Sequence, residues 1–281
     1  MSIYSLYQRC FPNYPLEKAA FSDLLGLSEA TVLLRRRGEA CIGCAVLWKN
    51  SLSLLMVAPE ERGKGVGSDL LREAEERVRE SGADAVILGA GDRYLFQGVP
   101  LDQPQMPDFF EKRGYRAEWS SVNMRLSLAG FSTERQKLPP VDGAVSFRFA
   151  EASEEAELLA AVKATEPSWT PYFEGASSNV WIAAFPEGIA GFLMAEPDGG
   201  RFCTPGEKVG SIGCVGVVPW ARKRGIGRRL VASAAEWLGR QGCEYAEALY
   251  IELEDWYGAI GFRTVSRQWM GEKELKKHLE G

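Results

Sequence analysis

Hydrophobic and polar positions follow one another along the chain in an order that occurs twice. Apolar runs at residues 54–57 and 212–218 each lead into a basic, glycine-rich turn. Behind each turn, apolar residues recur at i, i+4, i+5, i+8 and i+12, as on one face of an amphipathic helix. The pattern predicts a strand, a turn and a helix made twice, with an offset of 160 residues from Val57 to Val217.

The remaining periodicity predicts similar elements around both copies. In the first half we expect helices at 3–27 and 107–112, strands at 31–36, 40–48, 51–57 and 85–88, and a hairpin at 116–128. In the second half we expect strands at 145–150, 179–185, 188–195, 208–218, 245–251 and 262–269, and helices at 153–163, 254–260 and 273–279. An aromatic-rich segment bounded by turn residues, 91–100, interrupts the first half.

Periodicity is lost between residues 129 and 143, a stretch that contains Pro139 and Pro140. We interpret this stretch as a linker between an N-terminal domain at 1–128 and a C-terminal domain at 144–281. Each would have about 130–140 residues, which is enough to bury a core of its own.

The composition and net charge of the chain limit the classes of partner that we expect it to bind. Of its 281 residues, 46% are apolar and 25% are charged, as in an ordinary globular protein. A net charge of −5 favours neither nucleic acid nor an anionic membrane as a partner. No apolar run approaches the ~18 residues of a membrane span, and the N-terminus lacks the pattern of a signal peptide. We expect a cytoplasmic protein.

The cysteine and histidine positions argue against metal or histidine chemistry. Cys41 and Cys44 lie three apart on a predicted strand, so they point to opposite faces and are best interpreted as buried free thiols. No second cysteine pair completes a zinc site, and the single histidine, His278, is almost at the C-terminus. We expect no metal.

The repeated turn has the chemistry of a phosphate site. Gly65 and Gly67 let backbone N–H groups approach a ligand, and the helix that follows adds unpaired donors and the positive end of its dipole. The spacing excludes both the mononucleotide P-loop and the Gly-x-Gly-x-x-Gly dinucleotide turn. A turn that merely connects strand to helix is the alternative.

The two turns resemble the Arg/Gln-x-x-Gly-x-Gly/Ala signature of the GNAT acyltransferase superfamily. They read Arg62-Gly63-Lys64-Gly65-Val66-Gly67 and Arg222-Lys223-Arg224-Gly225-Ile226-Gly227. The resemblance implies an α/β (α+β) fold of two tandem domains, each a mixed, twisted, partly splayed sheet flanked by helices. The arrangement is similar to that of mycothiol synthase-type tandem GNAT proteins.

The resemblance also implies acetyl-coenzyme A as co-substrate, with its pyrophosphate in the glycine turn and its pantetheine arm along the preceding strand. The cofactor-binding residues that it implies are Val57, Arg62, Gly63, Lys64, Gly65, Val66, Gly67 and Ser68 in the first half, and Val215, Val217, Arg222, Lys223, Arg224, Gly225, Ile226, Gly227 and Arg228 in the second.

The two halves differ where this family places its general acid. The second half carries the family's Tyr-x-x-x-Gly-Phe motif at residues 257–262, whereas the first has Phe110 in the place of the tyrosine. Since phenylalanine cannot donate a proton, we expect catalysis in the C-terminal domain. The N-terminal domain would bind coenzyme A or only support the fold.

The implied reaction is attack of an amine on the thioester, with Tyr257 protonating the departing thiolate. A backbone N–H within residues 215–217 would stabilise the oxyanion. With no usable histidine the base would be a carboxylate, Glu252 or Glu254, acting through water. Each glutamate taken singly is more typical of a surface residue than of a base. The aromatic residues at 169–173 can line an acceptor pocket or belong to the core.

Three functions remain open at this stage. We favour an N-acetyltransferase that acts on a small-molecule or peptide amine. An acyl-coenzyme A sensor with little turnover and an interaction scaffold are the alternatives. The acceptor is not determined by the sequence, and neither is the choice between monomer and homodimer.

Overall fold

A computed structural model describes residues 2–91, 93–102, 105–141, 144–204 and 206–275. The chain forms two compact units. The first contains Met1–Val122 and Ser266–Gly281, and the second contains Asn123–Val265. The chain thus passes to the second unit after residue 122 and returns to the first after residue 265. The predicted domains had instead assigned the whole chain after residue 144 to the second half.

The described residues form eight α-helices and thirteen strands. The helices are α1 (Ile3–Cys10), α2 (Lys18–Leu24), α3 (Val66–Glu80), α4 (Gln105–Glu111), α5 (Glu155–Thr165), α6 (Thr170–Phe173), α7 (Ile226–Arg240) and α8 (Glu254–Gly258). The strands are β1 (Thr31–Arg37), β2 (Ala40–Trp48), β3 (Ser51–Val57), β4 (Ala85–Leu88), β5 (Val99–Pro100), β6 (Ser120–Ser127), β7 (Ser146–Phe149), β8 (Val180–Phe185), β9 (Gly188–Glu196), β10 (Val209–Val217), β11 (Tyr245–Ile251), β12 (Arg263–Trp269) and β13 (Glu272–Glu274).

The first unit has a five-stranded mixed sheet in the order β1-β2-β3-β4-β13. Strands β1, β2 and β3 are antiparallel neighbours. Strands β3 and β4 run parallel and pair only at Ser51↔Ile87 and Leu52↔Leu88. The last strand, β13, pairs antiparallel with β4. The short parallel ladder leaves the ends of β3 and β4 without backbone pairing to each other.

The strands of the second unit follow the order β12-β6-β11-β10-β9-β8-β7. The part of β6 from Asn123 onward and the part of β12 up to Val265 belong to this unit. Strands β10 and β11 run parallel over three pairs, which end at Ser211↔Glu247. Both units therefore contain the mixed, splayed sheet that the sequence predicts, and the predicted fold class is confirmed.

One long helix packs on each sheet through the predicted apolar face. The residues that the 160-residue offset aligns are buried in both helices: Leu70, Leu71, Ala74 and Val78 in α3, and Leu230, Val231, Ala234 and Leu238 in α7. Helix α7 also buries Ile226, Ala232 and Ala235. Glycine in the neighbouring strand allows each helix to approach closely, since a Cβ on Gly43 would lie 2.8 Å from Val66 Cγ1. A Cβ on Gly191 would lie 3.2 Å from Leu230 Cδ2.

Three predicted elements are wrong. The helix expected over 3–27 is two helices, because the intervening Pro12 and Pro15 lack backbone N–H donors. The hairpin expected over 116–128 is the single strand β6, while Arg116 forms an isolated bridge with Glu272. The closing helix expected from residue 273 begins instead as strand β13, and residues 276–279 lie outside the described part of the chain.

Candidate active site

The two glycine turns share one backbone conformation. Gly65 and Gly225 are left-handed, with φ of 90° and 77°, and each is the N-cap of the long helix of its unit. Two residues earlier, Gly63 and Lys223 are also left-handed, with φ of 74° and 63°. Neither helix has a side-chain cap on its first turn. Each turn therefore presents unpaired amide N–H groups, from which a bound anion can accept hydrogen bonds.

Each turn borders a cavity of nearly the same volume, about 510 Å³ in the first unit and about 520 Å³ in the second. The predicted cofactor-binding residues that line the first are Val57, Arg62, Gly63, Gly65, Gly67 and Ser68. Those that line the second are Val215, Val217, Arg222, Lys223, Gly225, Ile226, Gly227 and Arg228. Lys64, Val66 and Arg224 were predicted with them but are not among the lining residues.

The first arginine of each turn braces the end of the preceding strand. Arg62 Nε donates to the Val57 carbonyl at 3.3 Å, and Arg222 Nε donates to the Val217 carbonyl at 3.1 Å. This repeated bond places each guanidinium along the strand end at the cavity edge. Lys64, in contrast, lies 3.5 Å from the buried carboxylate of Glu61.

Tyr257 lies in the wall of the second cavity, where it is 6% exposed. Its ring packs against Trp256 and Phe262, with centroids 4.8 and 5.4 Å away. Burial, and secondarily the thiol of Cys214, raises the pKa of the Tyr257 hydroxyl above its usual range. The hydroxyl therefore stays protonated at neutral pH, as a proton donor must.

Phe110 has the corresponding position in the first cavity, where it is 5% exposed. Its ring packs against Phe109 and Tyr115, with centroids 5.1 and 5.5 Å away. The aromatic frame is thus repeated between the units. The hydroxyl is the part that the first unit lacks at this point.

A β-bulge interrupts β10 beside the second cavity. The register with β9 shifts between Gly213 and Gly216, and Cys214 within the bulge is left-handed, with φ of 49°. Strand β11 has already separated from β10 at this point. Backbone groups at residues 214–215 are therefore outside the ladder with β9. The first unit has a related irregularity, because the register of β3 with β2 shifts between Leu52 and Leu54 and leaves Ser53 outside the pairs.

The connection after the central parallel strands also differs. In the second unit two residues, 252 and 253, join β11 to α8, whereas residues 89–104 join β4 to α4 in the first. Within this longer connection Leu95, Phe96 and Val99 are buried. A cavity of about 40 Å³ remains between these residues and strands β3 and β4. The place where the strands diverge is consequently filled in the first unit.

The two predicted base residues lie outside the wall of the second cavity. Glu252 is exposed, and Glu254 Oε1 accepts a hydrogen bond of 2.5 Å from Thr264 Oγ1. The cavity is lined instead by four residues that the sequence did not single out for this role, Pro139, Ala221, Leu253 and Trp256. Trp256 immediately precedes Tyr257 on the same predicted helix, so the sequence did contain a signal that Trp256 lies near the cavity.

Pro139 comes from the stretch that the sequence predicts as a linker. Arg229 Nε donates to its carbonyl at 2.7 Å, and Thr133 Oγ1 donates to Glu236 Oε2 at 2.8 Å. A Cβ on Gly225 would lie 3.1 Å from Pro139 Cβ. This stretch therefore packs on α7 and completes one side of the cavity.

The aromatic residues at 169–173 have two different environments. Phe173 is fully buried and packs against Phe192, with centroids 5.2 Å apart. Tyr172 is 55% exposed. The sequence left open whether these aromatic residues belong to the core or line an acceptor pocket. Phe173 belongs to the core, whereas Tyr172 lies at the surface.

Other chemistries find little support in the described residues. No group of three or more histidine, cysteine, aspartate or glutamate side chains in this part of the chain is placed to hold a metal ion. Cys41 and Cys44 are buried free thiols, as predicted. Within the same residues, no helix has both the length and the apolar character needed to cross a membrane.

A family model described as "Acetyltransferase (GNAT) family" matches the chain twice, at residues 1–115 and 148–262. The chain is also similar to a protein named "Mycothiol acetyltransferase" from Nocardia farcinica. The two are 28% identical over 229 residues, which are 73% of this chain and 69% of that protein.

Two solved structures share the fold. One is titled as a GCN5-related glucosamine N-acetyltransferase region in a fungal multi-domain β-N-acetylglucosaminidase, with a TM-score of 0.81 and 25% identity. It aligns with 96% of this chain, which spans about a third (36%) of the fungal one. The other, a tandem GNAT protein from the clavulanic acid biosynthesis pathway, has a TM-score of 0.64 and 13% identity, with 92% and 95% of the two chains covered.

Proposed function

The chain belongs to the GNAT acetyltransferase family, and on that premise we propose that its second unit transfers an acetyl group from acetyl-coenzyme A to the amine of a small molecule. Tyr257 carries this proposal, because it is a buried, protonated hydroxyl in the wall of the cavity that begins at the glycine turn. The uncapped start of α7 supports the assignment of the diphosphate to Gly225 and Gly227.

In the proposed reaction the neutral amine attacks the thioester carbonyl carbon, and the C=O electron pair moves to the oxygen as the C–N bond forms. Return of that pair restores the carbonyl and breaks the C–S bond. The bulge at Cys214 supports the expected oxyanion donor, since it takes backbone N–H groups near Val215 out of the ladder with β9. Tyr257 then donates its proton to the departing sulfur.

A carboxylate must accept a proton from the acceptor nitrogen, either from the ammonium before attack or from the nitrogen once the C–N bond has formed. Of the two predicted bases we favour Glu252, because Glu254 is engaged by Thr264. Glu252 is exposed and lies outside the cavity wall. It would act through an intervening water.

For the first unit we propose coenzyme A binding without transfer. Its turn and cavity match those of the second unit in conformation and volume. It lacks the hydroxyl at Phe110 and the open space between β3 and β4. Both differences fall at the reacting end of the site, and neither falls at the phosphate end.

The test is thiol release from acetyl-coenzyme A with a panel of amines. Amino sugars come first in the panel, because the names of the fungal relative and of the mycothiol acetyltransferase indicate acceptors other than peptides. Diamines and a peptide with a free N-terminus complete it. We expect amine-dependent release that depends on Tyr257; binding of acetyl-coenzyme A without release would instead support the sensor, and no binding would support the scaffold.

A further inference from the structure

Each cavity has one arginine that lies against the ring preceding the Phe110/Tyr257 position. In the first unit the Arg113 guanidinium carbon is 3.8 Å from the centroid of Phe109. Arg113 also donates to the Phe109 carbonyl at 2.6 Å and to the Ser68 hydroxyl, on the first turn of α3, at 2.7 Å. In the second unit the guanidinium carbon of Arg228 is 5.9 Å from the centroid of Trp256. Both arginines line their cavities.

The two arginines do not correspond in the repeat. With the 160-residue offset of the turns, the counterpart of Arg228 is Ser68. The second aromatic motif has its own offset of 147 residues, from Phe110 to Tyr257, so the counterpart of Arg113 is Ile260. Both units thus have a guanidinium between the start of the long helix and an aromatic ring. The arginine comes from the long helix itself in the second unit and from the segment after α4 in the first.

Neither guanidinium is neutralised by the protein. Within the described residues no carboxylate forms an ion pair with Arg113 or Arg228, although Arg35, Arg37 and Arg148 have such partners. The Nε of Arg228 is buried and has no hydrogen-bond partner there. A half-buried charge with donors to spare, beside open helix amides, matches the needs of a phosphate.

We propose that Arg113 binds a phosphate group of the coenzyme in the first unit, in the role that we expect of Arg228 in the second. The inference rests on the proposed coenzyme A site of the first unit and assigns to it a residue outside the glycine turn. The Ser68 hydroxyl orients the guanidinium, and the Phe109 ring supports it from one side. The ligand group is either the diphosphate or the phosphate on the ribose.

Hydrogen exchange on the full chain can follow both sites at once. Protection of residues 62–71 reports the first site and protection of 222–231 the second, each as a function of coenzyme A concentration. We expect Arg113→Ile to weaken binding at the first site by about 10- to 100-fold, the effect of losing a charge-assisted bond. Binding at the second site should be unchanged.

A rescue variant separates this role from a structural one. Ser68→Arg combined with Arg113→Ile reproduces the second unit's arrangement and should restore most of the affinity. Arg116→Gln is the matched control, because Arg116 donates only to nearby carbonyls and lies outside the cavity wall. Repeating the titrations with 3′-dephospho-coenzyme A identifies the phosphate: an Arg113 effect that persists assigns the diphosphate, and one that vanishes assigns the ribose phosphate.

Three results would overturn the assignment. They are an unchanged first-site affinity in Arg113→Ile, no recovery in the double variant, and absence of coenzyme A protection at residues 62–71 in the unaltered chain. The last result also removes the proposed binding role of the first unit. Thiol release by the second unit is measured separately, so failure of the transferase proposal is distinguishable from failure of this one.

Discussion

Phe110 and Tyr257 have the same surroundings in their respective units: each packs edge-on against an aromatic residue five positions later, at 5.5 and 5.4 Å. Each also lines the cavity that begins at its glycine turn. The difference between the two is one hydroxyl group. That group separates a proton donor from a packing ring, and the predictions about activity follow from it.

Tyr257→Phe should lower kcat by roughly 10²–10⁴-fold, the usual contribution of a positioned general acid. The ring contacts with Trp256 and Phe262 remain, so coenzyme A affinity should stay nearly constant. Thiol release at saturating substrate measures the effect. Tyr245→Phe is the control, since Tyr245 lies outside the cavity wall; a kcat unchanged by the Tyr257 substitution would remove its acid role.

Phe110→Tyr should not create a second active unit. Placed in the Tyr257→Phe chain, it should leave thiol release at background, because residues 89–104 still fill the space where β3 and β4 separate. A new hydroxyl buried without a partner should cost about 1–3 kcal/mol of stability. Urea unfolding measures that cost, and restored turnover would show that the first unit admits an acceptor.

Gly65→Ala and Gly225→Ala should both destabilise the fold, because alanine is strained at the φ values of 90° and 77° that these glycines adopt. For Gly65 the expected cost is about 1–2 kcal/mol from backbone conformation alone, because nothing lies within 4 Å of the added Cβ. Gly225 should cost more, since its Cβ would lie 3.0 Å from the Pro140 carbonyl oxygen. Gly258→Ala, with nothing within 4 Å and no left-handed φ, is the control. Equal losses of unfolding free energy in the two variants would contradict the packing of Pro139 and Pro140 against Gly225.

Lys223→Gly should stabilise the protein by up to about 1 kcal/mol, because Lys223 is held at a φ of 63° that glycine adopts freely. The first unit already has Gly63 at the aligned position. Lys223→Ala removes the same charge but keeps the strain, so it should show no gain. If both variants shift the urea midpoint equally, charge rather than backbone strain is responsible.

Stability should fall in acid partly through Glu154. Its bidentate hydrogen bonds with Arg148, at 2.7 and 2.8 Å, lower its pKa to about 2. A depressed carboxyl pKa contributes stability above the ordinary value of 4.5, and that contribution is lost as pH falls toward 2. Urea midpoints measured between pH 5 and 2 should decline less steeply in Glu154→Gln. Parallel curves would show that the ion pair is not the cause.

The sequence by itself determined the repeated core of the protein. The strand, the turn and the apolar face of α3 and α7 follow from local spacing, which depends on the helical and strand periods and on little else. The same is true of Tyr257 and Phe110, whose motifs are read within six consecutive residues. Local signals of this kind survive without knowledge of the rest of the chain.

Tertiary structure alone decided which side chains complete the two cavities. Arg113 meets Ser68 across 45 positions of sequence, and Arg229 binds the Pro139 carbonyl across 90. Strand β13 joins the first unit from the far end of the chain. The bulge at Cys214 had a partial signal, since glycines flank it at 213 and 216. The other contacts had no signal in the sequence. They depend on how segments far apart in the chain pack together, and the local helical and strand periods do not determine that packing.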